Sequence, residues 1–294
     1  MSDHPMPKSR SSPRFTLHGW LGLGLVASFW PLNWFLDGVR TNWGFFPLWL
    51  GYCLTIDALV LFRRGSSLLT RNWRNYVGLF IISAPVWWLF EALNERLQNW
   101  HYIGGELFSP LAFWVWATLS FSTVIPAVFG TAEFAASFNF IKRLRSGPVI
   151  QPTFWVTSTF FTFGLISLLL MMIWPKIFFP FLWLSLYFIV EPINIWLGNR
   201  NITDWTKDGN WRPVGALWIG VLITAFFWEM WNYFSFPKWV YQVPWGGCCH
   251  IFEMPLLGYG GYLPFSLELF AIYHIVQGLL GNKNGDYVKL IAEE

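Results

Sequence analysis

An all-α, polytopic membrane helix bundle is the fold class this sequence predicts, and three observations predict it. Of its 294 residues, 55% are hydrophobic and only 12% charged, where soluble domains carry about 25% charged residues. Apolar runs recur at 17–36, 44–62, 76–93, 109–130, 155–174, 177–197, 213–234 and 254–280, each close to the roughly 20 residues that cross a hydrocarbon core as a helix. Eight spans put both termini on one side, and fifteen of the 19 Lys and Arg fall on that side. The other side keeps only Arg40, Arg96, Lys176 and Lys238. This positive-inside asymmetry places both termini in the cytoplasm and suits a bacterial inner membrane.

The elements follow in order. Residues 1–15, rich in Ser, Pro and basic groups, read as a cytoplasmic tail able to touch anionic headgroups. The first apolar run is too long for a removable signal peptide and lacks a small-residue cleavage site, so it is expected to remain as the first helix. Trp30-Pro31 is expected to end it, with 33–42 an outer loop. Residues 16–140 form a first four-helix repeat, 141–152 a basic, Gly-Pro- and Gln-Pro-containing cytoplasmic linker, 153–281 a second four-helix repeat, and 282–294 a cytoplasmic tail.

The repeat rests on matched segments. The second span opens FFPLWLGYCLTIDALVLFRRGSS and the sixth FFPFLWLSLYFIVEPINIWLGNRN, which sets Asp57 opposite Glu191. The third span ends WWLFEALNERLQNWHY and the seventh FFWEMWNYFSFPKWVY. Both carry Glu-x-x-Asn and then Trp-x-Tyr: Glu91, Asn94, Trp100 and Tyr102, then Glu229, Asn232, Trp239 and Tyr241. Pro126 precedes Pro264 by 138 residues, the offset of Glu91 from Glu229. An even number of helices per repeat gives both halves the same orientation, related by an axis along the membrane normal.

A charge at the bilayer centre costs at least about 2.5 kcal/mol on insertion scales, so acids kept in so apolar a chain are the candidates for chemistry. The catalytic candidates are Glu229, Glu191, Glu268, Asn232, Glu91, Asn94 and Asp57. Glu and Asn three apart share a helix face; such pairs also cap or join neighbouring helices without any catalytic role. Asp57 and Glu191 read as deep in the membrane, and Glu91 and Glu229 as near the outer leaflet. Aromatic residues are 21% of the chain, including 22 Trp, mostly as interfacial belts and packing. Trp228, Trp231, Tyr233, Trp239, Tyr241 and Trp245 lie beside the acids and are the candidates for lining a ligand pocket, where aromatic faces also stabilise cations. No metal or other cofactor is expected: His101 and His250, in matching outer loops with Glu106 and Glu253, lack a HxxxH or HxxEH spacing. His274 is a lone helix histidine, more readily a packing residue than a pigment ligand. Nucleic acid is excluded as a partner because the basic residues make no continuous stripe.

Asn232, Trp239-x-Tyr241 and Pro264-Phe-Ser-Leu-Glu268-Leu-Phe270 resemble the lycopene cyclase domain of bacteria, archaea and fungi. The resemblance covers both halves loosely and 229–270 best; here the acid is single and stands four residues after the proline. It implies a small duplicated membrane domain acting on a carotenoid or other isoprenoid in a redox-neutral isomerase or lyase reaction. One carboxyl, Glu268 or Glu191, would give a proton to a double bond, and Glu229 would remove one elsewhere. The bilayer and a hydrophobic isoprenoid-like ligand are the implied partners, with a homo-oligomer or membrane complex open. Two other readings fit the same residues. One is a secondary transporter with a carboxylate-lined site between the repeats, and the other a structural or pigment-binding subunit of a membrane complex.

Overall fold

The computed structural model describes residues 15–36, 38, 41–144, 146–283 and 285–291. Nearly all of these are helical. In chain order the helices are α1 (Leu17–Phe35), α2 (Thr41–Arg64), α3 (Leu68–Arg71), α4 (Trp73–Leu97), α5 (Pro110–Phe121), α6 (Val124–Ala136) and α7 (Asn139–Lys142). There follow α8 (Phe154–Ile173), α9 (Pro175–Phe178), α10 (Leu182–Leu197), α11 (Thr203–Thr206), α12 (Arg212–Tyr233) and α13 (Tyr259–Leu279). Four short strands, β1 (Trp100–Ile103), β2 (Lys238–Tyr241), β3 (His250–Ile251) and β4 (Met254–Pro255), form two antiparallel pairs.

Among the described residues six helical segments are long and apolar enough to cross a membrane: Trp43–Arg64, Trp73–Leu97, Pro110–Ala136, Phe154–Ile173, Pro175–Leu197 and Arg212–Tyr233. The protein is therefore an apolar helix bundle suited to a bilayer. Helices α1 and α13, of 19 and 21 residues, have the length but are diluted by Trp, Asn, Gly, Tyr and His.

Helix boundaries follow local chemistry. The Asn72 side chain accepts from the amides of Arg74 and Asn75 and caps α4; Ser109 and Thr153 cap α5 and α8 in the same way. Pro110 and Pro213 stand in first turns, where a missing N–H costs nothing. One expectation is corrected, and two of the expected spans carry a break. Pro31 does not end the first helix, which continues to Phe35 while the Asn33 side chain donates to the Phe29 carbonyl at 2.7 Å, so the outer loop starts three residues later than 33. The apolar run 109–130 is broken at Ser122 and Thr123, because Pro126 has no N–H to continue α5 and because Ser83 on α4 serves both ends of the break. The Ser83 hydroxyl donates to the Phe121 carbonyl (2.6 Å) and accepts from the Ile125 amide (3.0 Å). The run 177–197 likewise opens with α9 and a 3-10 turn around Pro180 before α10 begins.

Burial sorts the helices. Twelve of the thirteen residues of α6 are buried, which makes it the central helix; α8 buries only Thr157, Gly164, Ser167 and Met171 and presents the rest outward. Helix α6 packs on α12, and Gly220 permits it: a Cβ there would lie 2.5 Å from the Ala132 amide nitrogen. Within the earlier part of the chain α1 packs on α2, α2 on α6 and α4 on α6; within the later part α8 packs on α10, α10 on α13 and α12 on α13. Strands β1 and β2, one following α4 and the other following α12, pair with Trp100 opposite Tyr241 and Tyr102 opposite Trp239. The stretch after α13 is packed rather than free over its described part: Val288 and Leu290 are buried, Tyr287 donates to the Leu68 carbonyl at 2.8 Å, and Arg64 holds the carbonyls of Lys289 and Ile291, each at 2.7 Å.

Candidate functional site

Two matched clasps anchor the β1–β2 ribbon. At the end of α4, the Asn94 side chain donates to the Trp100 carbonyl (2.9 Å) and accepts from the amides of Asn99 (2.8 Å) and Trp100 (3.3 Å). At the end of α12, Asn232 donates to the Trp239 carbonyl (2.7 Å) and accepts from the Trp239 amide (2.9 Å). One helical turn earlier stand the acids. Glu91 Oε1 accepts from the Trp87 indole (2.9 Å), the Trp100 indole (3.1 Å) and the Tyr102 hydroxyl (2.5 Å). Glu229 Oε1 accepts from the hydroxyls of Tyr241 (2.8 Å) and Tyr262 (2.6 Å), and the Trp239 indole donates to the Tyr241 oxygen (2.9 Å). Glu-x-x-Asn followed by Trp-x-Tyr is thus one hydrogen-bonded unit, in which the Asn holds the strand backbone and the Glu holds its tyrosine.

These units back a cavity of about 500 Å³. Trp87, Trp100 and Tyr102 line it from α4 and β1; Trp183 from α10; Trp228, Trp239 and Tyr241 from α12 and β2; Tyr262 and Pro264 from α13. Tyr102, Tyr241 and Tyr262 all line it, and the hydroxyl of each donates to a carboxylate, Glu91 for the first and Glu229 for the other two. Glu229 is fully buried, and its Oε2 has no partner among the described residues, so that oxygen can take a proton or a further donor. At the mouth Lys238 lines the cavity and forms an ion pair with Glu253. Burial, and next the neighbouring Glu229 carboxylate, push the pKa of the Tyr241 hydroxyl well above its ordinary value, which keeps it a donor.

The other expected site residues lie elsewhere. Trp245 lines the cavity, but Trp231 does not: it is 1% exposed and packed on Trp49 (5.0 Å between ring centroids) and Trp30 (5.8 Å), in the core between α12, α2 and α1. Tyr233 is exposed beside Phe252 and Lys238, outside the cavity. Asp57 and Glu191 form a second matched pair with a local task. Asp57 accepts from the Ser67 hydroxyl (2.7 Å) and the Leu69 amide (2.9 Å), and His18 lies 3.2 Å away; Glu191 accepts from the amides of Ile202 (2.6 Å) and Thr203 (3.3 Å). Each carboxylate therefore caps the short helix that follows its own, α3 or α11. That places both toward the ends of α2 and α10 that lead into α3 and α11, away from the cavity. Glu268 is fully buried beside the backbone of Leu186 and Tyr187 on α10, with neither oxygen hydrogen-bonded among the described residues, and it does not line the cavity. The structure thus gathers Glu91, Asn94, Glu229 and Asn232 behind one wall and leaves Asp57, Glu191 and Glu268 apart from it.

Tyr262 was missed from the sequence. It lies 33 residues after Glu229 on a different helix, and the one signal for it was its place two residues before Pro264. Among the described residues no group of three His, Cys, Asp or Glu side chains could hold a metal ion. His274 is buried against the Phe270 ring at 4.2 Å, with neither ring nitrogen hydrogen-bonded among the described residues. In comparisons with known proteins, no family model, no curated protein and no solved structure matches this chain.

Proposed function

We propose that the protein is an eight-span membrane protein of two four-helix repeats that binds the end of a long isoprenoid-like hydrocarbon in the aromatic cavity and exchanges protons with it. Glu229 with Tyr241 and Tyr262 forms one proton-exchanging unit, and Glu91 with Tyr102 the other. The observation that carries this reading is the pair of tyrosine hydroxyls at the cavity wall bonded to one buried carboxylate with a spare oxygen. Apolar, aromatic walls suit a hydrocarbon, and indole and phenol faces stabilise a carbocation by roughly 0.5 to 2 kcal/mol each. A proton added to one double bond and removed from another carbon leaves the substrate isomerised, with no change of oxidation state and no co-reactant. The repeat is supported by the matched clasps and by the β1–β2 register, which is unchanged when each strand takes the other's place. In this reading α1 and α13 are the two further spans, which would put both termini on the side rich in Lys and Arg.

Expression in cells that accumulate linear carotenoid precursors, followed by pigment chromatography, tests the reading together with lipid extraction and an absorption spectrum of the purified protein. We expect a new pigment or a bound polyene with the wild type, and loss of the product with Glu229→Gln and with Tyr262→Phe while folded protein remains abundant. Pigments identical to those of the empty vector, with no bound polyene, would overturn it in favour of a transporter or a structural subunit.

A further inference from the structure

A second cavity, of about 210 Å³, lies at the opposite end of the bundle. Five cations, Arg63, Arg64, Arg71, Lys142 and Lys289, and the hydroxyls of Ser66 and Ser137 line it. They converge from four parts of the chain: the end of α2, the turn into α3 with α3 itself, the stretch from the end of α6 through α7, and the segment following α13. We propose that this is a binding site for a phosphate-bearing anion, supplied by the headgroup of an anionic phospholipid.

Charge carries the first step. Among the described residues the one carboxylate bonded within the cluster is Glu133, which is fully buried, pairs with Arg71 and accepts the Lys289 amide at 2.7 Å. Arg63 spends its hydrogen bonds on neutral groups, the Ser137 hydroxyl (2.6 Å) and carbonyl (3.3 Å), and lies over the Phe138 ring at 4.0 Å. Neither Arg63 nor Lys142 pairs with a carboxylate among the described residues, so these two cations are available to an anion, and Arg63 is held in shape by the Ser137 bonds and the Phe138 ring. Guanidinium forks and ammonium groups converging in a concave pocket match phosphate oxygens, and the two serine hydroxyls add neutral donors.

Place carries the second step. The cations stand at the ends of apolar helices, where phospholipid headgroups reside, and outward-facing Phe62, Phe140 and Leu144 flank them. A lipid phosphate in the pocket would leave its acyl chains against these side chains. A free phosphate would use the pocket and ignore them. Basic pockets between membrane helices on the cytoplasmic side take such headgroups.

The full-length protein in nanodiscs of phosphatidylcholine with a minor share of phosphatidylglycerol tests this, by native mass spectrometry of retained lipid. Thermal shift against inorganic phosphate, in detergent, forms the second arm. We expect selective retention of phosphatidylglycerol. Arg63→Gln combined with Lys142→Gln should weaken it by about tenfold or more, since each cation near an anionic surface is worth roughly fivefold. Arg74→Gln with Lys207→Gln, exposed cations on the same side but outside the pocket, should leave it unchanged, and size-exclusion profiles should show all variants folded. Saturable stabilisation by phosphate without lipid selectivity would support the anion site but assign a soluble source. Equal retention of both lipids with no response to phosphate, or equal loss in both variant pairs, would overturn the proposal.

Discussion

At the residue scale five acids of this chain divide into two kinds. Asp57, Glu133 and Glu191 each accept a backbone amide of a following or distant segment, so their charge is spent on holding the fold. Glu91 and Glu229 accept only side-chain donors, several of which line the cavity. The asparagines one turn on are structural, and their removal should show it. Asn94→Ala loses three bonds around Asn99 and Trp100, and at about 1 kcal/mol each should destabilise the protein by about 2–3 kcal/mol. Asn232→Ala should cost slightly less. Melting curves check this, and an unchanged midpoint in both variants would contradict the clasp. The tyrosines give a pH prediction. Burial first, then the adjacent Glu229 carboxylate, raise the Tyr241 pKa in the folded state, so its contribution is complete below the ordinary value of about 10 and is lost as pH climbs beyond it. The melting temperature should fall above about pH 10, and fall less steeply in Tyr241→Phe.

At the element scale the deciding feature is the two-stranded ribbon. Four residues from each strand are too few to be stable alone, so β1 and β2 exist because Asn94 and Asn232 hold the backbones of Trp100 and Trp239 and the indoles of these residues pack around the cavity. The register predicts a cross-link. In a background without native cysteines, His101→Cys with Val240→Cys, which are Cα partners, should oxidise to a disulfide without loss of fold. His101→Cys with Lys238→Cys, two residues out of register, should not, because diagonal neighbours are about 7–8 Å apart and exceed disulfide reach. Equal coupling in both pairs would show that the strands slide.

At the scale of the whole molecule, chemistry is segregated by end. One end carries the aromatic cavity, the other the arginine cluster, and α4, 25 residues and therefore about 37 Å long, joins them. The two ends should lie on opposite sides of a membrane. In a cysteine-free background, a cysteine replacing the exposed Glu106, beside the cavity end, should react with an impermeant thiol reagent from outside intact cells, and one replacing the exposed Lys207 only after lysis. Labelling of both from one side would defeat the eight-span arrangement with cytoplasmic termini.

Helical class, helix positions and the matched Glu-x-x-Asn and Trp-x-Tyr segments are legible in residue order, because hydropathy and short-range spacing are local properties. Six of the eight apolar runs recur as helices with membrane-crossing length and hydropathy. Even Pro126, the reason that α5 stops, was visible, although the Ser83 hydroxyl that serves both ends of the break was not. What each acid faces depends on packing between distant segments. The costs that made Asp57, Glu191 and Glu229 look alike in sequence are met by different partners: amides in the next turn for the first two, and tyrosine hydroxyls for the third, one of them 33 residues away on α13. Trp228 and Trp231, three apart on α12, diverge in the same way, one to the cavity and the other into the core against Trp49. Apolar pattern selects a helix but is nearly uniform around α12, so which neighbour each side receives is set by how α2, α6 and α13 pack upon it.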